Sequence, residues 1–129
     1  MNTDFLGKGI AWPMRQNARG GITVSRHADK IKESIRIILG TERGTRLMRP
    51  TFGSQLHTLL FAPNNIATAN LARHYVEEAL LTWEPRILLE EVSVRNDHQS
   101  ASLQISVRYQ LKATREPQNL VYPFYLQQQ

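Results

Sequence analysis

The sequence of 129 residues contains no cysteine. This absence excludes disulfide bonds, thiolate nucleophiles and zinc sites built on cysteine ligands. Nor does any apolar run approach the roughly 20 residues that a membrane-spanning helix requires. The first residues, MNTDFLGKGIAWPM, lack the basic start and the apolar block of a signal peptide. We therefore expect a protein that is made and folded in the cytoplasm and has no membrane partner.

Residue types suited to catalysis and metal binding are present, but their spacing matches no known site. The four histidines show no metal-ligand spacing, and no serine or threonine lies in a nucleophile motif. Glycoside cleavage requires two carboxylates flanking the bond, for which Glu84 with Glu90 or Glu91 is the only candidate pair. Because neighbours in an extended segment point to opposite faces, we expect Glu90 and Glu91 to diverge. The sequence predicts a non-enzyme without a metal site or a cofactor.

The net charge of +5 is concentrated in the first part of the chain. Residues 1–50 contain ten Lys and Arg against four Asp and Glu, whereas residues 51–129 contain six against seven. Such a basic surface suits nucleic acid or an acidic protein partner. For a domain this small we favour the protein partner, and the stacking aromatics of an RNA module are absent.

The first two thirds of the chain predict an irregular lead followed by about three helices. Glycine and proline punctuate residues 1–24, which we interpret as an irregular N-terminal lead. Ser25 can cap a first helix, and a short helix is expected just before Pro63. Asn64 or Asn65 can cap a third helix, which Pro85 ends. Apolar residues at three- and four-residue steps mark the buried side of the first helix: Ala28, Ile31, Ile35, Ile38 and Leu39.

The last third of the chain changes to the two-residue period of β-strands. Val92 and Val94 alternate with polar residues, and residues 96–100 form a turn. The next strand alternates without a break, with apolar residues at Leu103, Ile105, Val107, Tyr109 and Leu111. A last apolar segment, LVYPFYL at 120–126, contains Pro123, which restricts it to an edge strand. Helices followed by a small, mostly antiparallel sheet indicate a single α+β domain over residues 25–129, with the helices on one sheet face.

The charged tripeptide Glu84-Pro85-Arg86 lies where the third helix gives way to the sheet. Proline stiffens this junction, and we expect the acid and the base to be close in space but aimed differently. The arginine fork suits a carboxylate or a peptide carbonyl of a partner. From the residues alone a helix end is the simpler interpretation, and a docking site is the alternative.

Three motifs follow one another along the chain: Thr41-x-x-Gly44 with Pro50-x-Phe52-Gly53, then Glu84-Pro85-Arg86, then LVYPFYL at 120–126. In this order they resemble the baseplate-wedge, sheath-initiator family of contractile injection machines. Members occur in contractile phage tails, in type VI secretion baseplates (TssE-like proteins) and in extracellular contractile particles. The helix–turn segment of residues 34–63 is similar to the family's Thr-x-x-Gly and Pro-x-Phe-Gly motifs, at Thr41, Gly44, Pro50, Phe52 and Gly53. The segment LLTWEPRI resembles the family's Glu-Pro-Arg signature, and LVYPFYL resembles the closing strand of the extracellular-particle branch.

This resemblance implies a fold similar to the handshake domain of the sheath subunit and a structural role in several copies per baseplate. It implies that Glu84, Pro85 and Arg86 contact the bundle of wedge proteins, and that the chain templates the first sheath ring by β-strand addition. Tube or hub proteins are further expected partners. Pro50, Phe52 and Gly53 are expected contact residues as well, and so are four residues of the closing strand: Val121, Tyr122, Phe124 and Tyr125. The alternatives are a peptidoglycan-cleaving, lysozyme-like enzyme and a basic nucleic-acid-binding module.

Overall fold

The computed structural model describes residues 16–45, 48 and 51–127, with side chains described from residue 26 onward. The chain divides into two compact units, Met1–Glu33 and Ser34–Gln129. In the described part, two α-helices and a short 3-10 helix precede three β-strands. The elements are α1 (Gln16–Gly40), the 3-10 helix (Leu56–Leu59), α2 (Ile66–Trp83), β1 (Ile87–Asp97), β2 (Ser102–Leu111) and β3 (Pro117–Tyr125).

Helix α1 begins at Gln16 rather than after Ser25. The prediction of an irregular lead is therefore wrong for residues 16–24, and residues 1–15 lie outside the described residues. Gly20 and Gly21 fall inside the helix, where each costs about 1 kcal/mol relative to alanine, an amount that a long helix tolerates. The predicted apolar side is confirmed, because Ala28, Ile31, Ile35, Ile38 and Leu39 are all buried. The domain boundary at residues 24 and 25 stays a prediction.

The second predicted helix is a single 3-10 turn, so the described chain has two α-helices rather than about three. Leu56 and Leu59 are its buried residues, and a spacing of three places them on one side of a 3-10 helix. Helix α2 begins as predicted. The side chain of its N-cap, Asn65, accepts a hydrogen bond of 3.0 Å from the Thr68 N–H, which satisfies one of the first amides of the helix.

The sheet has the order β1-β2-β3 and is antiparallel throughout. The apolar residues predicted for β2 are all buried, which confirms the half-buried strand. Helix α2 packs against β1, and the end of α1 approaches β3, since a Cβ at Gly40 would lie 3.3 Å from the Tyr122 hydroxyl. The helices thus cover one face, as predicted, and the polar residues of β2 are on the other. The strand that contains Pro123 is at an edge, as predicted.

Neither α-helix of the described chain combines the length and apolar character needed to cross a membrane. Within the same residues, no three His, Asp or Glu side chains gather in a group that could hold a metal ion.

Candidate partner-binding site

A sharp corner joins α2 to β1. Glu84 follows the last helical residue with φ −124° and ψ 81°, because the proline after it disfavours helical geometry. Its N–H still donates to the Leu80 carbonyl at 3.0 Å, whereas two residues later the Arg86 carbonyl already accepts from the Lys112 N–H at 2.9 Å. The backbone is therefore held by the helix on one side of Pro85 and by the sheet on the other. We refer to Glu84, Pro85 and Arg86 as the corner.

The two charged side chains of the corner bind each other. Arg86 donates from Nε to Glu84 Oε2 at 2.8 Å and from Nη2 to Oε1 at 3.1 Å. The expectation that acid and base are aimed differently is wrong, because the turn at Pro85 and Arg86 brings the two side chains into direct contact. The Glu84 side chain is 1% exposed and that of Arg86 is 44% exposed. The carboxylate is thus internal, and only the cation reaches the surface.

The surroundings of Glu84 keep it ionised. Burial raises the pKa of Glu84, but hydrogen bonds from Arg86 and from the Ser34 hydroxyl, with the charge of Arg86, lower it more, so the pKa lies below its ordinary value. The hydrogen bond to Glu84 in turn raises the pKa of Arg86. Burial, reinforced by the Glu84 charge, raises the pKa of Tyr109 to about 12. The Tyr109 hydroxyl is buried and has no hydrogen-bond partner among the described residues.

The loop that carries the Thr-x-x-Gly and Pro-x-Phe-Gly motifs is closed by backbone hydrogen bonds between its first and last residues. The Ser54 N–H donates to the Thr41 carbonyl at 3.0 Å, and the Arg43 N–H donates to the Ser54 carbonyl at 3.2 Å. Gly53 has φ +112°, and a Cβ built there would lie 2.4 Å from the Thr41 carbonyl oxygen. Only glycine fits this position. The close approach of the Thr41 carbonyl therefore explains why this loop needs glycine at position 53.

An aromatic contact brings this loop to the corner. The rings of Phe52 and Trp83 meet edge to face, with centroids 5.1 Å apart and planes at 62°. Trp83 Nε1 also donates to the Thr51 carbonyl at 3.1 Å. Because Trp83 directly precedes Glu84, this contact brings the predicted site residue Phe52 close to the corner. Pro50, predicted as a contact residue with Phe52 and Gly53, lies outside the described residues.

The predicted residues of the closing strand form a second, separate surface. Val121 and Tyr125 are exposed on the open face of the sheet, whereas Tyr122 and Phe124 are half-buried on the face that the helices cover. The strand register pairs residues 121–125 with residues 102–106 of β2. The corner instead adjoins the other end of β2, where Leu111 pairs with Ile87.

Backbone groups of β3 point alternately inward and outward. The Leu126 N–H donates toward the sheet, to the Ala101 carbonyl at 2.8 Å, and the Gln127 N–H donates away from it, to the Leu60 carbonyl at 2.7 Å. In an antiparallel pair this alternation continues along the strand, so the odd-numbered residues of β3 point their N–H and C=O outward. Both prolines of the strand, at 117 and 123, occupy such positions and remove no bond from the ladder.

The outward row leaves unpartnered backbone donors. The N–H groups of Asn119, Val121 and Tyr125 point outward, and no described residue accepts from them through its backbone. We refer to this row, residues 119–125 of β3, as the closing edge. An extended segment could pair with it centrally, around Val121, because Pro117 and Pro123 interrupt the donors on both sides.

The two acids considered for catalysis do not diverge. A β-bulge between Leu89 and Glu91 sets two residues opposite one partner. Arg108 consequently reaches Glu91 at 2.9 Å and Glu90 at 3.6 Å. The expectation that Glu90 and Glu91 face opposite sides is wrong, because the regular alternation of a strand is interrupted at this bulge.

Sequence reasoning missed the surroundings of Glu84. Ser34, Arg36 and Tyr109 come from α1 and β2 and meet at the corner only through the fold. The signal available in the sequence was Tyr109, the one polar-tipped residue in an otherwise aliphatic buried row. A buried hydroxyl of that kind indicates polar or charged neighbours.

The fold and these two surfaces define a small α+β subunit that presents a charged corner and an exposed strand edge. A family model described as baseplate wedge protein gp25 matches residues 25–116. The chain is 30% identical to baseplate protein W of Escherichia phage P2 over 107 residues, which are 83% of this chain and 91% of that protein. The chain belongs to the gp25 family of baseplate wedge proteins, which confirms the resemblance of its motifs.

Solved structures share this fold. A chain of the type VI secretion baseplate complex superposes with a TM-score of 0.66 at 19% identity, covering 80% of this chain and 96% of that one, which supports the fold. A Geobacter sulfurreducens protein named as a candidate tail lysozyme superposes with a TM-score of 0.73 at 39% identity, covering 92% and 98%. This chain is therefore a structural subunit of the baseplate wedge of a contractile machine.

Proposed function

We propose that this chain attaches to the core bundle of wedge proteins through the corner and templates the first sheath ring through the closing edge. The observation that supports templating of the sheath is the row of outward-pointing N–H groups around Val121. An extended arm of a sheath subunit would pair with that row main chain to main chain, as in strand addition to other sheet edges. The α+β fold, with its open edge, would then correspond to the handshake domain of the sheath.

The corner suits attachment because it is rigid and asymmetric. Glu84 occupies two donors of Arg86, which fixes the guanidinium while its remaining N–H groups stay available to a partner. A fixed fork loses little conformational freedom when it binds a carboxylate or carbonyl. Phe52 and Trp83 stiffen the same region from the loop side. The basic first part of the chain would meet acidic surfaces of the wedge, tube or hub, during assembly in the cytoplasm.

The strand-addition proposal is tested by replacing Val121 with proline and, separately, with alanine. Val121→Pro removes one outward N–H at a position where the strand tolerates proline, as at Pro123, whereas Val121→Ala keeps the N–H and removes only side-chain atoms. We expect baseplates with the proline variant to lack an attached sheath in electron micrographs, and those with the alanine variant to carry one. Normal sheath on both would refute pairing at this edge.

Attachment through the corner is tested by Arg86→Glu, with Arg95→Glu as a control at the far end of β1. We expect Arg86→Glu to prevent baseplate assembly, as seen by electron microscopy, while the control assembles normally. Circular dichroism of both variants verifies that the fold is kept. Normal assembly with Arg86→Glu would contradict the proposal.

The name of the Geobacter relative favours a lysozyme as the second candidate. A glycosidase of this type needs a carboxyl whose pKa is raised so that it can donate a proton. The pKa of Glu84 is instead lowered, and its two oxygens are occupied by Arg86. We therefore propose that this chain does not cleave peptidoglycan. Clearing of a peptidoglycan suspension by the purified protein, lost in Glu84→Gln, would reverse this conclusion.

The basic nucleic-acid-binding module remains as a third function from a different class. No described feature beyond the charge favours it, and a duplex titration at low salt tests it. We expect no binding. Binding with a steep dependence on salt concentration would support that function instead.

A further inference from the structure

A cleft opens beside the corner, between the end of α2 and the start of β1. Its volume is about 370 Å³, and its apolar walls are Leu80, Leu81, Ile87, Leu88 and Leu89, with Lys112 at the rim. Leu80 and Ile87 are buried and form the floor. We refer to it as the leucine cleft.

Leu81 is the most unusual residue of this cleft. Its side chain belongs to α2 yet is 72% exposed, while its neighbour Leu80 is 1% exposed and faces the core. Leu88 and Leu89 are half-buried on the strand side. An apolar surface of this kind beside a polar rim is typical of a contact with another protein.

The charges around the leucine cleft are unbalanced. Glu84 lies in its wall, but its charge is neutralised by Arg86 and its oxygens are hydrogen-bonded. Lys112 is exposed and forms no ion pair with any described residue. The net charge that the cleft presents is therefore positive, which favours an acidic group on whatever enters it.

We propose that the leucine cleft binds the apolar side of an acidic amphipathic helix from a wedge protein, with a carboxylate of that helix paired to Lys112. The cleft is open and is near the small end of the range for ligand pockets, about 300 to 1,000 Å³. It therefore suits a few side chains projecting from one helix face, at three- and four-residue steps. The inference rests on the proposed attachment of the corner to the wedge and names the chemistry of the partner there.

The absence of cysteine from the chain permits a direct test. Leu81→Cys places one thiol in the cleft, and Leu71→Cys places one on an exposed leucine elsewhere on the same helix. Each variant is mixed with purified proteins of the wedge bundle, and its alkylation by a maleimide is timed. We expect binding to slow alkylation at residue 81 by about tenfold or more, since buried thiols are poorly accessible, and to leave residue 71 unchanged.

Reversing the charge of Lys112 tests whether the partner helix carries the predicted carboxylate. Lys112→Glu should weaken binding of the wedge bundle about tenfold, the effect of placing like charges together at an interface, while Arg95→Glu should bind as the wild type does. An Asp- or Glu-to-Lys change in the partner helix should restore binding to Lys112→Glu. Equal melting temperatures of the variants verify that folding is intact.

The outcomes separate this inference from the proposed function. If the wild type does not bind the wedge bundle, the proposed attachment itself is refuted. If the wild type binds and Arg86→Glu does not, but residue 81 stays reactive and Lys112→Glu binds normally, the attachment stands and the leucine cleft is not its contact. Protection of residue 81 without an effect of Lys112→Glu would refute the acidic character assigned to the partner.

Discussion

Arg86 holds the buried carboxylate of Glu84 through two hydrogen bonds, at 2.8 and 3.1 Å, across a single proline. The pair closes the junction between α2 and β1, because Glu84 caps the helix and Arg86 begins the sheet pairing. The first role of the Glu84–Arg86 pair is therefore to stabilise the fold of the protein itself. Any partner that binds the corner meets a guanidinium whose orientation is already fixed by the fold.

Replacement of Glu84 by glutamine should destabilise the protein. The change leaves Arg86 without its anion and places an amide against a donor fork, which costs about 1–3 kcal/mol for a buried hydrogen-bonded group. Urea denaturation measures the loss of unfolding free energy. The matched control is Glu91→Gln, whose exposed pair with Arg108 contributes at most about 1 kcal/mol. Equal losses in the two variants would contradict an internal role for the corner.

The stability should also depend on pH through Glu84. The pKa of this group is lower in the folded protein than its ordinary value of 4.5, so below that value the unfolded chain binds more protons than the folded one. The stabilisation is fully present above pH 4.5 and is lost as the pH falls through the folded pKa. Asp97, whose pKa is lowered by hydrogen bonds from Ser100, contributes in the same direction.

Glutamine at position 84 should therefore reduce the acid sensitivity without abolishing it. The measurement is the unfolding free energy of wild type and Glu84→Gln from about pH 7 down to about pH 3. We expect the difference between them to shrink steadily below pH 4.5. A difference that is constant over this range would show that the folded pKa of Glu84 is not lowered.

The two glycines of the loop should differ in their tolerance of alanine. Gly53→Ala combines a positive φ with a Cβ only 2.4 Å from a backbone oxygen, whereas Gly44, with φ +97°, has open space around it. We expect Gly44→Ala to cost about 1–2 kcal/mol, the strain of a left-handed conformation. Gly53→Ala should cost more, because Thr41 must also move. Thermal denaturation of both variants compares them, and an equal cost would mean that the loop relaxes freely.

The order of elements and the sheet were predictable, because they follow from local patterns. The alternation through Leu103 and Tyr109 predicted β2, and the proline at 123 predicted an edge strand. The N-cap at Asn65 was also predictable. Each of these signals involves only residues that are close together in the sequence, and the tertiary structure is consistent with all of them.

The start of α1 and the contacts of the corner were not predictable in the same way. Two adjacent glycines argued against a helix that in fact continues through them, since propensity is a weak guide inside a long helix. The bulge beside Glu90 reversed an expectation based on regular alternation. Ser34 and Tyr109 reach Glu84 only because α1 and β2 pack at the same place, and no local pattern encodes such a meeting.

Tyr109 offers a test of that packing. Its hydroxyl is buried without a hydrogen-bond partner among the described residues, so it carries a desolvation cost that no bond offsets. Tyr109→Phe should leave the unfolding free energy unchanged or raise it by up to about 1 kcal/mol, because removing an unsatisfied polar group from a core is neutral or favourable.

The matched control for Tyr109→Phe is Ser54→Ala. The Ser54 hydroxyl donates to the Leu39 carbonyl at 2.9 Å, and its loss should cost about 1 kcal/mol. Urea denaturation compares the two, and a marked loss in Tyr109→Phe would mean that the hydroxyl has a bonded partner, such as a buried water beside Glu84.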